Sequence, residues 1–312
     1  MTGKLRCAVV GTGHLGRWHA DKYAALPDCE LVGVVDVDQE AGRAVADKHN
    51  VPLYDDHLAI IGEVDAVSIA APTSLHYRIA RDFLSAGVHV LVEKPITTTL
   101  AEADELIELA ARHGARLQVG HLERFNAALM DLDLQNQPPR FIECHRLAPF
   151  KPRATDVSVV LDLMIHDIDI ILSLVDETPE RIDAKGVPVL TGDTDIANAR
   201  LQFPGGCVAN VTASRVSMKM ERKMRLFLPN GYVSVDFQNR VLTRHQPGER
   251  EMFPGIPEIV SEESVFEDGD ALMAEIRDFV ACIREGRRPL VDGQAGRRAL
   301  ATAIQISEQL SA

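Results

Sequence analysis

Three groups of residues in this 312-residue chain have the types and spacing that chemistry needs. The first is Gly11-Thr-Gly13-His14-Leu15-Gly16, with Asp36 lying 20 residues beyond the last glycine. The apolar run Cys7 to Val10 ends directly in this triplet, and residues 15–26 read as a helix. Glycines at these positions permit a tight turn, close approach of backbone to a pyrophosphate, and close packing of the helix on the strand. The helix start offers free N–H groups to phosphate. An acid at the end of the second strand, here Asp36 after Leu31 to Val35, accepts from ribose hydroxyls. Together these features predict a bound dinucleotide.

The second group is Glu93-Lys94-Pro95, at the end of the strand Val88 to Val92. A lysine beside a nicotinamide can donate to a substrate oxygen, although an exposed lysine at a strand end is equally ordinary. The third is Asp162, His166 and Asp169 in the apolar stretch 157–174. Residues four apart share one face of a helix, and polar groups in apolar surroundings are costly unless paired or used. Three readings stay open: a proton shuttle, a satisfied buried cluster, and a metal site. A nicotinamide enzyme that oxidises an alcohol needs a base but no metal, which favours the shuttle, and no metal is expected.

These groups need elements to hold them. Over the first 120 residues, apolar strands alternate with helices, including 39–49, 75–86 and 100–113. That pattern predicts a doubly wound parallel α/β sheet, with ligands outside the carboxyl ends of its strands. The residues there are Gly11, Asp36, Ala71, Pro72, Thr73, Glu93, Lys94 and His121. His121 can line the cofactor cleft, or it can cap or underlie the helix expected near Leu122. Arg124 is a candidate partner for Glu93 or Asp162. Beyond residue 121 the pattern becomes α+β: a mainly antiparallel sheet over 181–244, a loop over 248–269, and closing helices at 271–285 and 293–310. The expected domains are 1–121, binding the dinucleotide, and 122–312, binding substrate and forming oligomers, with the closing helices free to pack back on the first. Lys151 and Arg153, in the loop before the Asp162 helix, are placed to hold an anionic substrate group. Arg215, Lys219, Lys223 and Arg225 share strand parity and suggest one basic face.

The net charge of −13 argues against broad nucleic-acid binding. No run of 18 apolar residues suggests a membrane span, and the N-terminus does not read as a signal peptide. Five scattered cysteines without a C-x-x-C read as reduced thiols of a cytoplasmic protein, with no zinc site. Asp36 would repel a 2′-phosphate, and Val37 to Glu40 supply no arginine to receive one, so NAD is expected over NADP.

The glycine run, Val64 to Thr73, Glu93-Lys-Pro95 and Asp162-Leu-Met-Ile-His166-Asp resemble the glucose–fructose oxidoreductase / inositol dehydrogenase / MocA family over nearly the whole chain. The resemblance implies a Rossmann domain followed by a domain with an open sheet used to form homodimers or homotetramers. It implies that Lys94, Asp162 and His166 are the catalytic set. His166 would take the hydroxyl proton, Lys94 would hold that oxygen, and Asp162 would position the substrate. Pro72, Thr73, His76 and Glu93 would border the cofactor. Within the family, Gly120 to Asn126 and Asp162 to Asp169 look most like enzymes that oxidise the 3-hydroxyl of UDP-N-acetylglucosamine. The competing expectations are a dehydrogenase of a free polyol, sugar or other small carbonyl compound, and a non-catalytic NAD-binding regulator.

Overall fold

The computed structural model describes residues 3–134, 137–150 and 158–310. Its chain forms two compact units, one from Met1–Leu122 with Ala271–Arg297 and one from Glu123–Asp270 with Arg298–Ala312. Residues 271–297 thus join the first unit although they follow the second in sequence.

The first unit holds β1 (Leu5–Val10), α1 (Gly16–Ala25), β2 (Cys29–Val35), α2 (Gln39–His49), β3 (Leu53–Tyr54), β4 (Ala66–Ile69), α3 (Thr73–Ser85), β5 (His89–Glu93), α4 (Leu100–His113) and β6 (Leu117–Gly120). The strands make one parallel sheet in the order β3-β2-β1-β4-β5-β6. The connections reverse direction between β1 and β4, which opens a crevice at the carboxyl end of β1. Local signals set the helix ends. Asp38 caps α2, and Thr99 with Glu102 forms a capping box on α4. Asn50 and Gly114 close the same helices in the left-handed conformation.

The second unit begins with a short 3-10 turn, Leu122–Phe125, and α5 (Ala127–Met130), where a helix starting near Leu122 was expected. It continues with β7 (Phe141–Leu147), a π turn at Val160–Met164, and α6 (Ile165–Val175). Next come β8 (Arg181–Val187), β9 (Ile196–Gln202), β10 (Val208–Ser214), β11 (Glu221–Leu228), β12 (Gly231–Asp236), β13 (Val241–Phe253) and β14 (Ile256–Val265). The sheet order is β14-β13-β12-β11-β7-β10-β9-β8, antiparallel except at β7–β10. The chain closes with α7 (Ala271–Glu285) and α8 (Gly293–Leu310), the latter shared between the units at Arg297/Arg298. No helix among the described residues is long and apolar enough to cross a membrane.

Two sequence expectations change here. The segment 248–269 is largely a hairpin rather than a loop, because Val241–Phe253 pairs with Ile256–Val265. The Pro247-Gly248 step falls at a register shift, and Pro254-Gly255 makes the turn with Gly255 at φ 75°. The expected basic face is broken, because β10 ends at Ser214 and β11 starts at Glu221. Arg215 is buried against Asp195, while Lys223 and Arg225 pair with Asp236 and Glu143.

Side chains alternate across the second sheet. On one face Ile142, Cys144, Ala199, Leu201 and Val211 pack with Ile165, Ile168 and Ile171 of α6 and Ala303 of α8. On the other, Phe141, Phe227, Tyr232 and His245 form a continuous aromatic row. Arg146 is the charged member of the covered face. Its guanidinium donates twice to Asp167 of α6, at 2.9 and 2.8 Å, and once to Glu123 at 2.8 Å. Both Arg146 and Asp167 are buried, so removing one leaves the other's charge uncompensated. Arg146→Ala is expected to cost about 3–5 kcal/mol, seen as a lower urea midpoint, with loss of α6 protection in hydrogen exchange.

Candidate active site

The glycine turn follows β1 as expected. Gly11 has φ +86°, and a Cβ there would lie 2.7 Å from the Ala70 carbonyl oxygen. A Cβ on Gly16 would lie 1.7 Å from the Gly11 carbonyl oxygen, so helix and turn touch backbone to backbone. Gly13 has open space around it, and His14 and Leu15 are exposed beside it. The turn borders a cleft of about 970 Å³ that also reaches Asp36, Ala71 and Pro72. Thr73 begins α3 directly after Pro72. Gly11 and Gly13 leave the surface free for a pyrophosphate, and the α1 N-terminus faces the turn, so the site fits a dinucleotide.

Asp36 is fixed before any ligand arrives. Its Oδ2 accepts from the Thr12 N–H and hydroxyl, both at 2.6 Å, and Oδ1 accepts from Asp38 N–H at 2.9 Å. Burial alone would raise its pKa. The hydrogen bonds from Thr12, Asp38 and Val37 outweigh burial and hold it below the ordinary carboxylate range. Further along, the cleft carries Asp38, Asp55, Asp56 and Asp82, with Arg78 of α3 as its cation. Thr12 and Arg78 escaped the sequence reading. Thr12 sits within the glycine motif, and Arg78 is the first arginine of the helix that follows β4.

At the end of β5, Glu93 is buried and Lys94 half-buried. Glu93 Oε1 lies 3.0 Å from His19 Nε2 of α1, and Oε2 accepts the Lys94 N–H at 3.3 Å. His76 is also buried. Its ring bridges the Pro95 and Ala71 carbonyls at 2.9 and 2.8 Å, tying the loop after β4 to the turn that carries Lys94. Burial is the main influence on His76 and lowers its pKa, while the Pro95 and Ala71 carbonyls pull it the other way. His121 is buried at the end of β6, with its N–H donated to the Val119 carbonyl.

In the second unit, Asp162 lies in the π turn and His166 in the first turn of α6, both half-buried. The Ile165 N–H bonds to Val160 O, five residues back, in the widened register that recurs at functional sites. Asp169 is buried, and among the described residues Arg124 pairs with it at 3.6 Å rather than with Glu93 or Asp162. Asp169 therefore serves an ion pair with Arg124, and Asp167 serves Arg146. Glu123, Arg146 and Asp167 were not singled out from sequence, because their pairing spans β7 and α6. Lys94 belongs to the first unit, and Asp162 and His166 to the second. Lys151 and Arg153 lie outside the described residues.

Residues 5–121 match the oxidoreductase family with an NAD-binding Rossmann fold, and residues 134–234 match the GFO/IDH/MocA C-terminal domain. The chain is 43% identical over 303 residues to the UDP-N-acetylglucosamine 3-dehydrogenase of Acidithiobacillus ferrooxidans, covering 97% of this chain and 96% of that one. A solved structure of that enzyme superposes with a TM-score of 0.93 at 42% identity, covering 98% and 97% of the two chains. The myo-inositol 2-dehydrogenase of Thermotoga maritima is 26% identical, covering 95% of this chain and 93% of that one. The parallel sheet with its glycine turn, the mainly antiparallel second sheet and these likenesses agree: the chain belongs to the glucose–fructose oxidoreductase / inositol dehydrogenase / MocA family of NAD-binding oxidoreductases.

Proposed function

We propose that this chain is an NAD-dependent dehydrogenase that oxidises a secondary hydroxyl of a UDP-sugar, the 3-hydroxyl of UDP-N-acetylglucosamine. The observation that carries this reading is the 43% identity to the UDP-N-acetylglucosamine 3-dehydrogenase, which runs through both units. The Thermotoga myo-inositol 2-dehydrogenase supports a second reading, oxidation of a free polyol.

The proposed roles follow from the chemistry of the side chains. Bound NAD⁺ supplies the hydride acceptor. His166, with Asp162 four residues before it, takes the hydroxyl proton, because an imidazole accepts a proton near neutral pH. Lys94 donates to the same oxygen and stabilises the charge that develops on it. Asp162 orients the substrate and the imidazole. His121, Arg124, Lys151 and Arg153 are the proposed further substrate contacts. Gly11, Gly13, His14, Leu15 and Gly16 hold the pyrophosphate, and Asp36 accepts from the adenosine ribose. Ala71, Pro72, Thr73, His76, Glu93 and Lys94 are the proposed contacts and supports of the nicotinamide half.

Preference for NAD over NADP is supported by the acidic wall around Asp36, which opposes a 2′-phosphate. Homodimers or homotetramers are supported by exposed apolar residues on the β13–β14 hairpin, among them Phe253, Ile256 and Ile259. The five unpaired cysteines are consistent with a reducing, cytoplasmic setting.

Incubation with UDP-N-acetylglucosamine, NAD⁺ and a ketone-trapping amine tests the substrate. NADH should appear, together with a sugar nucleotide lighter by two hydrogens or its trapped adduct. Turnover only with inositols would favour the second reading, and no turnover with intact NAD⁺ binding would favour a regulator. His166→Ala should lower turnover about 10²- to 10⁴-fold and leave NAD⁺ affinity unchanged. Asp36→Ala should shrink the ratio of NAD to NADP affinity, and an unchanged ratio would mean that the acid does not read the ribose. Light scattering of an Ile256→Glu, Ile259→Glu variant should show a smaller particle than the parent chain, and an unchanged mass would place the contact elsewhere.

A further inference from the structure

Glu275 lies on α7, fully buried, with Ile276, Phe279 and Val280 packed into the core beside it. Neither of its carboxylate oxygens has a hydrogen-bond partner among the described residues. A buried carboxylate in that state is expensive if ionised. Its near neighbours come from two other elements. One nitrogen or oxygen atom each of His19 on α1, Glu93 at the end of β5 and Glu275 all lie within 4.8 Å of one another.

The other two members are already engaged. His19 Nδ1 lies 3.0 Å from Ser68 Oγ, which lies 2.9 Å from the Tyr23 hydroxyl. His19 Nε2 meets Glu93 Oε1, and Glu93 Oε2 accepts the Lys94 N–H. Glu93 also lies against β6, where a Cβ on Gly120 would come within 2.9 Å of its carboxylate. Glu93 therefore has the donors that an anion needs. One imidazole balances at most one carboxylate, and two buried anions this close oppose each other. The proton must reside on the acid that lacks donors.

We propose that Glu275 is a positioning residue: as a neutral acid, it leaves Glu93 the only anion of the cluster, and Glu93 in turn fixes the turn that carries Lys94. This rests on the dehydrogenase reading, in which Lys94 holds the substrate oxygen. The surrounding charges agree with the assignment. Burial raises the Glu275 pKa well above the ordinary carboxyl range, and the charges of Glu93 and Asp278 push it further the same way. Burial also works to raise Glu93, but the hydrogen bond and charge of His19, with the charges of Lys94 and His76, bring it below the ordinary range. The Tyr23 phenol, which also senses Glu275, is itself raised, chiefly by burial, and stays neutral.

Thermal unfolding of the full chain and of Glu275→Gln across pH tests the protonation state without any substrate. In the unfolded chain Glu275 ionises near its ordinary pKa of about 4.3, while in the folded chain it keeps its proton. Between those two values the folded state binds the extra proton, so Glu275 contributes less stability as pH rises, a contribution that the glutamine variant lacks. The Tm of Glu275→Gln should exceed that of the parent above about pH 5, with a gap that widens with pH and closes towards pH 4. A variant that is less stable than the parent by a margin growing with pH, or a gap independent of pH, would overturn the assignment. So would stoichiometric divalent metal in the purified parent that disappears from the variant.

The positioning role is read in turnover. Glu275→Ala should lower kcat about 10- to 100-fold with NAD⁺ affinity retained, and Glu275→Gln should restore most of it. Full turnover in a folded Glu275→Ala, or no rescue by glutamine, would reject that role. If no substrate is turned over by the parent, the dehydrogenase reading fails while the unfolding measurement still decides the protonation state.

Discussion

A parallel sheet whose connections change direction on either side of β1 has a gap at one strand end that no crossover helix covers. The first unit is built around that gap. Gly11 can turn there only because it lacks a side chain, and α1 can start there only because Gly16 rests on the Gly11 carbonyl. Asp36 arrives from the neighbouring strand and is held by Thr12, which belongs to the same turn. The loops after β4 and β5 open on the same edge of the sheet, and His76 joins them. The backbone geometry at β1 therefore decides where the acids and the lysine stand.

The second unit uses a different means of fixing position. Its π turn and α6 lie on an apolar sheet face that offers little directional information, since aliphatic contacts tolerate sliding. The buried bidentate contact between Arg146 and Asp167 and the Arg124–Asp169 pair supply direction on either side of the helix. Asp162 and His166 precede or interrupt this anchored stretch, so they are oriented by a helix whose register has been set elsewhere.

Much of this could be read before any coordinates. The bounds of α2, α4, α7 and α8 agree with the sequence reading, and for α2 and α4 the reason is local. Asp38, Thr99, Glu102, Asn50 and Gly114 are capping residues at known offsets. The alternation of apolar strands with helices was enough for the parallel sheet. Legibility fails where the partner is distant in sequence or where turn residues are used inside an element. Arg146 meets Asp167 and Glu123 across intervals of 21 and 23 residues, and nothing local indicates which acid it takes. Pro247 and Gly248 read as loop punctuation, yet the hairpin absorbs them at a register shift. Glu275 reads as one acid on an amphipathic helix, and only the packing of α7 shows that it faces inward.

The Thr12–Asp36 contacts have a thermodynamic consequence. A carboxylate anchored by two donors on one oxygen and one on the other has given up its rotamer freedom during folding. In the proposed role, ligand association would lose little side-chain entropy at this position, because the acceptor offered to the ribose hydroxyls is already aimed. The anchoring donors also keep the group ionised into mildly acidic solution. In the proposed role, recognition of the adenosine end would therefore be rigid, in the sense of a template.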